Sequence, residues 1–270
     1  MLDTMRRSSS NGGGRETTAA VWAAVSGVTL GEAWLRRDET TSPELVTKYR
    51  DALARLERGV PFAYAVGRIG FRTLDLAIDA RALIPRPETE GLVELVLQRV
   101  SGGLAADIGT GSGCIALALA VEGRFEKVIA VEQSPDAAAL ARENVERVAP
   151  RTPVEIREGN LLSPLDTGGR CRVIVSNPPY LSVADHAALD RSVAGFEPRE
   201  AFVSGLDGLE ATRALFAGAA AVLEPGGLLA LEIDERRSAA ICALAREYGW
   251  KVDIHDDLFD RPRYALAKED

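Results

Sequence analysis

From residue 87 onward, short apolar runs and Ala/Leu-rich stretches take turns along the chain. Strand-like runs stand at LAADI (104–108), KVIAV (127–131), VEIRE (154–158), RVIVS (172–176) and LLALEI (228–233), with a final pair at 250–255 and 263–268. A helix is expected over 87–100 (PETEGLVELVLQRV), with Pro87 in its first turn and Leu92, Val93, Val96 and Val100 as its buried stripe. Further helical stretches fall at 114–122, 135–147, 208–223 and 234–248. Strands this short and apolar, alternating with helices, imply a parallel sheet covered on both faces. The expectation is an α/β fold: a doubly wound, mostly parallel seven-stranded sheet with a small N-terminal helical domain.

The preceding segments read differently. Residues 1–17 are rich in Ser, Gly and Arg and have almost nothing to bury, the composition of a disordered tail. Residues 18–60 form the helical domain, with two helix-like stretches. In the clearer one, Ser42 and Pro43 give a start signal, Leu45, Tyr49, Leu53 and Leu56 recur at helical spacing, and Gly59 ends the pattern. Glycine punctuation and alternating apolar positions make 61–86 a hairpin-like connector, and 87–270 the main domain.

Composition narrows the functional classes. The chain of 270 residues carries a formal net charge of -8, whereas a protein gripping nucleic acid backbone usually has a basic surplus. Three scattered cysteines (Cys114, Cys171, Cys242) without CxxC spacing argue against disulfides or structural zinc and fit a reducing cytoplasm. With two histidines, His186 and His255, no metal is expected. No apolar run reaches the roughly 18 residues of a membrane helix, so the expected location is cytoplasmic.

In such sheets ligands bind at the carboxyl ends of the strands, where strand order reverses. The run 104–108 leads straight into Gly109-Thr110-Gly111-Ser112-Gly113 and then a helix. Glycines there bring backbone amides close to a ligand, and a helix N-terminus favours a negative group. Asp107 lies just before the turn. Glu132 ends the next strand, where a carboxylate suits a two-point grip on ribose hydroxyls. These features fit a nicotinamide dehydrogenase as well as an adenosylmethionine enzyme. The GxGxG spacing, with Cys114 and Ile115 where GxxG would continue, tilts the reading toward adenosylmethionine.

The deciding motif is Ser176-Asn177-Pro178-Pro179-Tyr180. Two prolines directly after a buried strand force the chain out of the sheet as a stiff loop over the same carboxyl edge. An Asn side-chain oxygen beside the Pro178 carbonyl offers two acceptors to one NH2 group, and Tyr180 can wall a planar group. An amide or exocyclic amino nitrogen is a poor nucleophile because its lone pair is delocalised. Holding both N–H groups on fixed acceptors aims that lone pair and stabilises the charge that develops on nitrogen.

On these motifs the chain resembles the release-factor glutamine methyltransferases, bacterial enzymes that methylate the Gly-Gly-Gln glutamine of peptide-chain release factors. The resemblance spans roughly residues 42–269. It includes Ile84-Pro85-Arg86-Pro87-Glu88-Thr89-Glu90, the turn Asp107 to Gly113, Glu132, Asn177 to Tyr180, Glu197-Pro198-Arg199, Gly205-Leu206-Asp207-Gly208-Leu209, Leu223 to Gly227, and Leu231-Glu232. It implies a Rossmann-like class I methyltransferase domain over 87–270, S-adenosyl-L-methionine as cofactor and class 1 release factors as partners, with no membrane and no direct nucleic acid. It further implies that Gly109, Thr110, Gly111, Ser112 and Gly113 hold the methionine moiety, Glu132 the ribose, and Leu161 the adenine. Asn177 would touch cofactor and acceptor. Asn177, Pro178 and Tyr180 would be catalytic, and Pro179 would complete the glutamine pocket, with Phe71 either an aromatic near the acceptor or plain core. Asn160 stands where the family usually has Asp.

The remaining features have plainer readings. Arg86 and Glu88 can pair at a helix start, Glu197 and Arg199 can position the loop after Tyr180, and Trp22, Trp34 and Trp250 read as core or interface. Two competing functions remain: methylation of an exocyclic amino group in nucleic acid, since the same loop logic serves any planar NH2, and a non-catalytic module that senses adenosylmethionine. The acidic chain argues against the first, and the intact Asn-Pro-Pro-Tyr against the second.

Overall fold

The computed structural model describes residues 12–36, 39–165, 169–189 and 195–269. The chain divides into two compact units, Met1–Arg68 and Ile69–Asp270.

The first unit contains α1 (Gly12–Ser26), α2 (Leu30–Leu35), α3 (Pro43–Glu57) and α4 (Phe62–Val66). Residues 1–11 of the expected tail lie outside the described residues, but 12–17 are helical. The Ala-rich TAAVWAAV that follows sustains α1, and extending a formed helix costs far less than starting one. Ser42 caps α3 through the amide of Leu45, with Pro43 at the first helical position. The core of this unit gathers Val21, Trp22, Ala33, Tyr49 and Ala52, with the Trp22 and Tyr49 rings edge-on at 5.3 Å. The hairpin-like connector begins in fact as α4, whose Ala63, Tyr64 and Ala65 are buried before Gly67 stops it in a left-handed conformation.

In the second unit, β1 (Arg68–Phe71) and β2 (Leu74–Ala77) form a hairpin, and α5 (Pro87–Leu97) follows. Then come β3 (Leu104–Ile108), α6 (Cys114–Glu122), β4 (Lys127–Glu132), α7 (Pro135–Val148), β5 (Val154–Glu158), β6 (Cys171–Ser176), α8 (Val183–Ala187), α9 (Glu210–Val222), β7 (Leu223–Glu232), α10 (Ser238–Glu247), β8 (Trp250–Asp256) and β9 (Pro262–Glu269). The seven-stranded sheet has the order β5-β4-β3-β6-β7-β9-β8. Its β3–β7 pairings are parallel, and β9 runs antiparallel to both neighbours. One face packs on α5 and α6 through Leu92, Val96, Ile115 and Leu119, and the other on α9 and α10 through Leu215, Phe216, Ile241 and Leu244. That is the doubly wound, mostly parallel seven-stranded sheet expected.

Some boundaries shift. β7 begins at Leu223, not 228: Glu224-Pro225-Gly226-Gly227 sits where the pairing register with β6 jumps, so the prolyl and glycyl residues fill an irregularity inside the strand. The stretch 234–248 is a 3-10 turn at Glu235–Arg237, capped by Asp234, and then α10. α5 stops at Leu97.

Order reverses between β3 and β6, so the switch point falls at the carboxyl ends of these two strands. Behind it, the fully buried Asn144 of α7 donates to the carbonyls of Ala77 and Ser112 and accepts from the Ala77 amide, tying the hairpin's end to the glycine turn.

Candidate active site

Register sets the site's geometry. Ile108 of β3 and Ser176 of β6 are partners, so the next residues, Gly109 and Asn177, leave the sheet side by side. Both line one cavity of about 560 Å³, together with Gly111, Glu132, Leu161 and Pro179. That volume lies in the range of small-molecule sites. Gly109 has φ +72, a conformation that favours glycine, and a Cβ built there would meet no protein atom within 4 Å. The space above the turn is open to a ligand.

Glu132 is held from both sides. One carboxylate oxygen accepts the Gly111 amide at 2.9 Å and the other the Ser134 amide at 2.9 Å. The turn and the start of α7 are thereby indexed to the end of β4, and the remaining lone pairs of Glu132 are free for hydroxyl donors. The Gly159 amide donates to the Glu132 carbonyl, and after it Asn160 and Leu161 form a further wall of the cavity.

Other residues of the turn face inward. Thr110 donates its hydroxyl to Asp107 at 2.5 Å, and the Ala116 amide donates to the same oxygen at 3.0 Å. Burial pushes the Asp107 carboxyl up to about 7, and its other oxygen has no partner. Ser112 is buried and Gly113 caps α6, so these residues shape the turn without lining the cavity.

The Asn-Pro-Pro-Tyr loop is buttressed. Leu181 pairs with Val203 in a short parallel bridge. Gly208 approaches the Tyr180 carbonyl so closely that a Cβ would lie 2.5 Å from it. The Pro178 ring is buried, and Tyr180 reaches Glu232 at 3.5 Å through its hydroxyl, so neither side chain lines the cavity as Pro179 does. The Asn177 side-chain amide donates from Nδ2 to Thr89 Oγ1 at 3.1 Å, and Thr89 donates to Glu232 at 2.7 Å. Glu232 is buried, which pushes its carboxyl up to about 7. Thr89 and Glu232 were not singled out as site residues by sequence, although both lie in segments that carried the resemblance.

Phe71 takes the plain-core alternative of the sequence reading, whereas Arg86 departs from it. Phe71 is 1% exposed in the hydrophobic core with Leu92 and Val93 and is not brought to the cavity. Arg86 pairs with the buried Glu197 at 2.5 Å rather than with Glu88, and Glu197 also accepts the Ile84 amide. A salt bridge between distant segments thus pins the IPRP stretch. Among the described residues, no group of three or more His, Cys, Asp or Glu is placed to hold a metal ion, and no helix is long and apolar enough to cross a membrane.

This sheet order, with its glycine turn, the Glu132 carboxylate and the stiff Asn-Pro-Pro-Tyr loop on one edge, defines a class I methyltransferase. The methyltransferase small domain model matches residues 88–193. Among solved structures of this fold, a methyltransferase from Pyrococcus furiosus superposes with a TM-score of 0.55 at 23% identity, covering 79% of this chain and 95% of that one. The release factor glutamine methyltransferase of Deinococcus radiodurans is 40% identical over 237 residues, covering 87% of this chain and 84% of that protein. That of Xylella fastidiosa is 42% identical over 242 residues, covering 87% of each. The chain belongs to the release factor glutamine methyltransferase family.

Proposed function

We propose that this protein transfers a methyl group from S-adenosylmethionine to the side-chain nitrogen of the glutamine in the Gly-Gly-Gln motif of peptide-chain release factors, which places its work in the cytoplasm. The observation that carries the reading is the Asn177 amide: its NH2 end is engaged by Thr89, which leaves Oδ1 as an acceptor at the cavity beside the glycine turn.

The cavity residues fit the cofactor. The open space over Gly109 and the backbone of Gly111 suit the methionine part, Glu132 the ribose hydroxyls, and Leu161 the adenine face. When bound, the cofactor supplies an electrophilic methyl carbon on a sulfonium and carries away the sulfur as a neutral thioether. The chain's residues do the rest. Asn177 Oδ1 and the Pro178 carbonyl accept the two N–H groups of the glutamine amide, fixing its plane and aiming the nitrogen. Pro179, which lines the cavity, walls the amide. The methylated amide would release one proton to solvent. Both carbonyl-type oxygens stabilise the positive charge on nitrogen as it grows, so a strong base is not needed.

The test uses purified protein, methyl-labelled S-adenosylmethionine, and release factors ending their loop in Gly-Gly-Gln or Gly-Gly-Ala. Label is expected on the first and absent from the second. Label on both, or on RNA or DNA in place of protein, would overturn the reading.

A further inference from the structure

Which end of the Asn177 amide faces the acceptor decides whether the site works. With Oδ1 forward, it accepts from the substrate NH2; with Nδ2 forward, two donors confront each other. We infer that Thr89 and Glu232 form a positioning relay that sets this orientation. The inference rests on the functional reading above, which supplies the NH2 acceptor.

The argument is a count of protons. A threonine hydroxyl has one hydrogen and accepts through its lone pairs. Thr89 Oγ1 lies 2.7 Å from a Glu232 oxygen and 3.1 Å from Asn177 Nδ2. The ionised Glu232 carboxylate, the form that prevails above about pH 7, only accepts, so in that form the single Thr89 hydrogen goes to Glu232. Thr89 can then serve Asn177 only as an acceptor, which requires Nδ2 to point at it and Oδ1 to point away. The polarity of the chain Asn177 to Thr89 to Glu232 is therefore dictated from the buried carboxylate outward.

The three members come from different elements: Thr89 from the first turn of α5, Asn177 from the loop after β6, and Glu232 from the end of β7. Thr89 and Glu232 are each 2% exposed, so water does not compete for these bonds. The Tyr264 hydroxyl donates to the Glu88 carbonyl at 2.7 Å, which fixes the start of α5 against β9. The Tyr180 hydroxyl reaches the other Glu232 oxygen at 3.5 Å, so one carboxylate engages Tyr180 directly and Asn177 through Thr89.

Thr89→Val keeps the shape and removes the hydroxyl, and Thr89→Ser restores it. Thr89→Val is expected to lower kcat on a Gly-Gly-Gln release factor by about 100-fold, with KM and the cofactor Kd within about threefold. Thr89→Ser should return kcat to within about fivefold of the parent. The side-chain NH2 protons of Asn177, assigned by their loss in Asn177→Asp, should exchange at least about tenfold faster in Thr89→Val and regain protection in Thr89→Ser. Unchanged kcat in Thr89→Val, no recovery in Thr89→Ser, or exchange insensitive to the hydroxyl would each overturn the relay. Should the parent protein fail to label the release factor while the exchange pattern holds, the functional reading fails and the relay stands.

Discussion

The Ser176 hydroxyl donates to the carbonyl of Ile108 at 2.7 Å, and these two residues are also register partners across β3 and β6. This side-chain bond clasps the strand ends from which the glycine turn and the acceptor loop depart. Ser176→Ala would leave the fully buried Ile108 carbonyl one bond short, at a cost of about 1–3 kcal/mol. The expected result is a fall in melting temperature of roughly 2–10 °C, read by calorimetry.

On the proposed function, removing the Asn177 amide deletes an acceptor that matters as charge develops. Asn177→Ala should lower kcat by about 100-fold or more while changing the cofactor Kd by no more than about threefold. Equal losses in both would mean that Asn177 chiefly serves binding. Kinetics with titration calorimetry separates the two.

Gly208 has φ +76, and a Cβ there would lie 2.5 Å from the Tyr180 carbonyl. Backbone cannot yield as a flexible side chain can, so Gly208→Ala must displace the acceptor loop. We expect a stability loss of about 1–3 kcal/mol and a raised KM for release factor. Cofactor binding, on the glycine-turn side, should change little. A parent-like KM would show that the loop is not held from this side.

Glu132→Gln replaces one of two accepting oxygens with an NH2 group, so either the Gly111 or the Ser134 amide then faces a donor. The cofactor Kd should rise by about tenfold or more, equivalent to about 1.4 kcal/mol. With cofactor at saturation, kcat should stay within about threefold of the parent. An unchanged Kd would remove Glu132 from the cofactor site.

Burial raises the Glu232 carboxyl from 4.5 to about 7, and Glu88 adds to the rise, while Thr89, Arg263 and Tyr180 oppose it. Between these values the folded chain holds the proton more tightly than the unfolded chain, so stability falls as pH rises. The penalty is absent below 4.5 and complete above about 7. Asp107 titrates in the same direction, so the useful quantity is the difference from Glu232→Gln. That variant should gain on the parent between about pH 5 and about pH 8 in denaturant unfolding. A pH-independent difference would show that Glu232 is not raised.

Much of the sheet was legible because its strands declare themselves locally. LAADI and VEIRE are bounded by turn residues and keep their expected limits, as does the helix 114–122. β7 was cut short because Pro225-Gly226-Gly227 reads as a break, and only pairing with β6 shows that a strand continues through it. α4 hid in an alternating apolar pattern that local propensity alone does not resolve. In the site, the turn, Glu132 and the Asn-Pro-Pro-Tyr loop were visible as motifs. Thr89 and Glu232 were not assigned, since their meaning arises from bonds spanning 88 and 143 residues of sequence. Phe71 shows the converse: an aromatic at a suggestive position takes its role from its neighbours, here Leu92 and Val93.

The three bonds of Asn144 have a practical outcome for anyone wishing to transplant or shorten the catalytic domain. The methyltransferase small domain match starts at residue 88, yet Asn144 takes both its acceptor bond and one donor bond from Ala77. A piece trimmed to that match would strand a carboxamide in the interior beneath the glycine turn. The smallest portable unit therefore includes the hairpin strand β2.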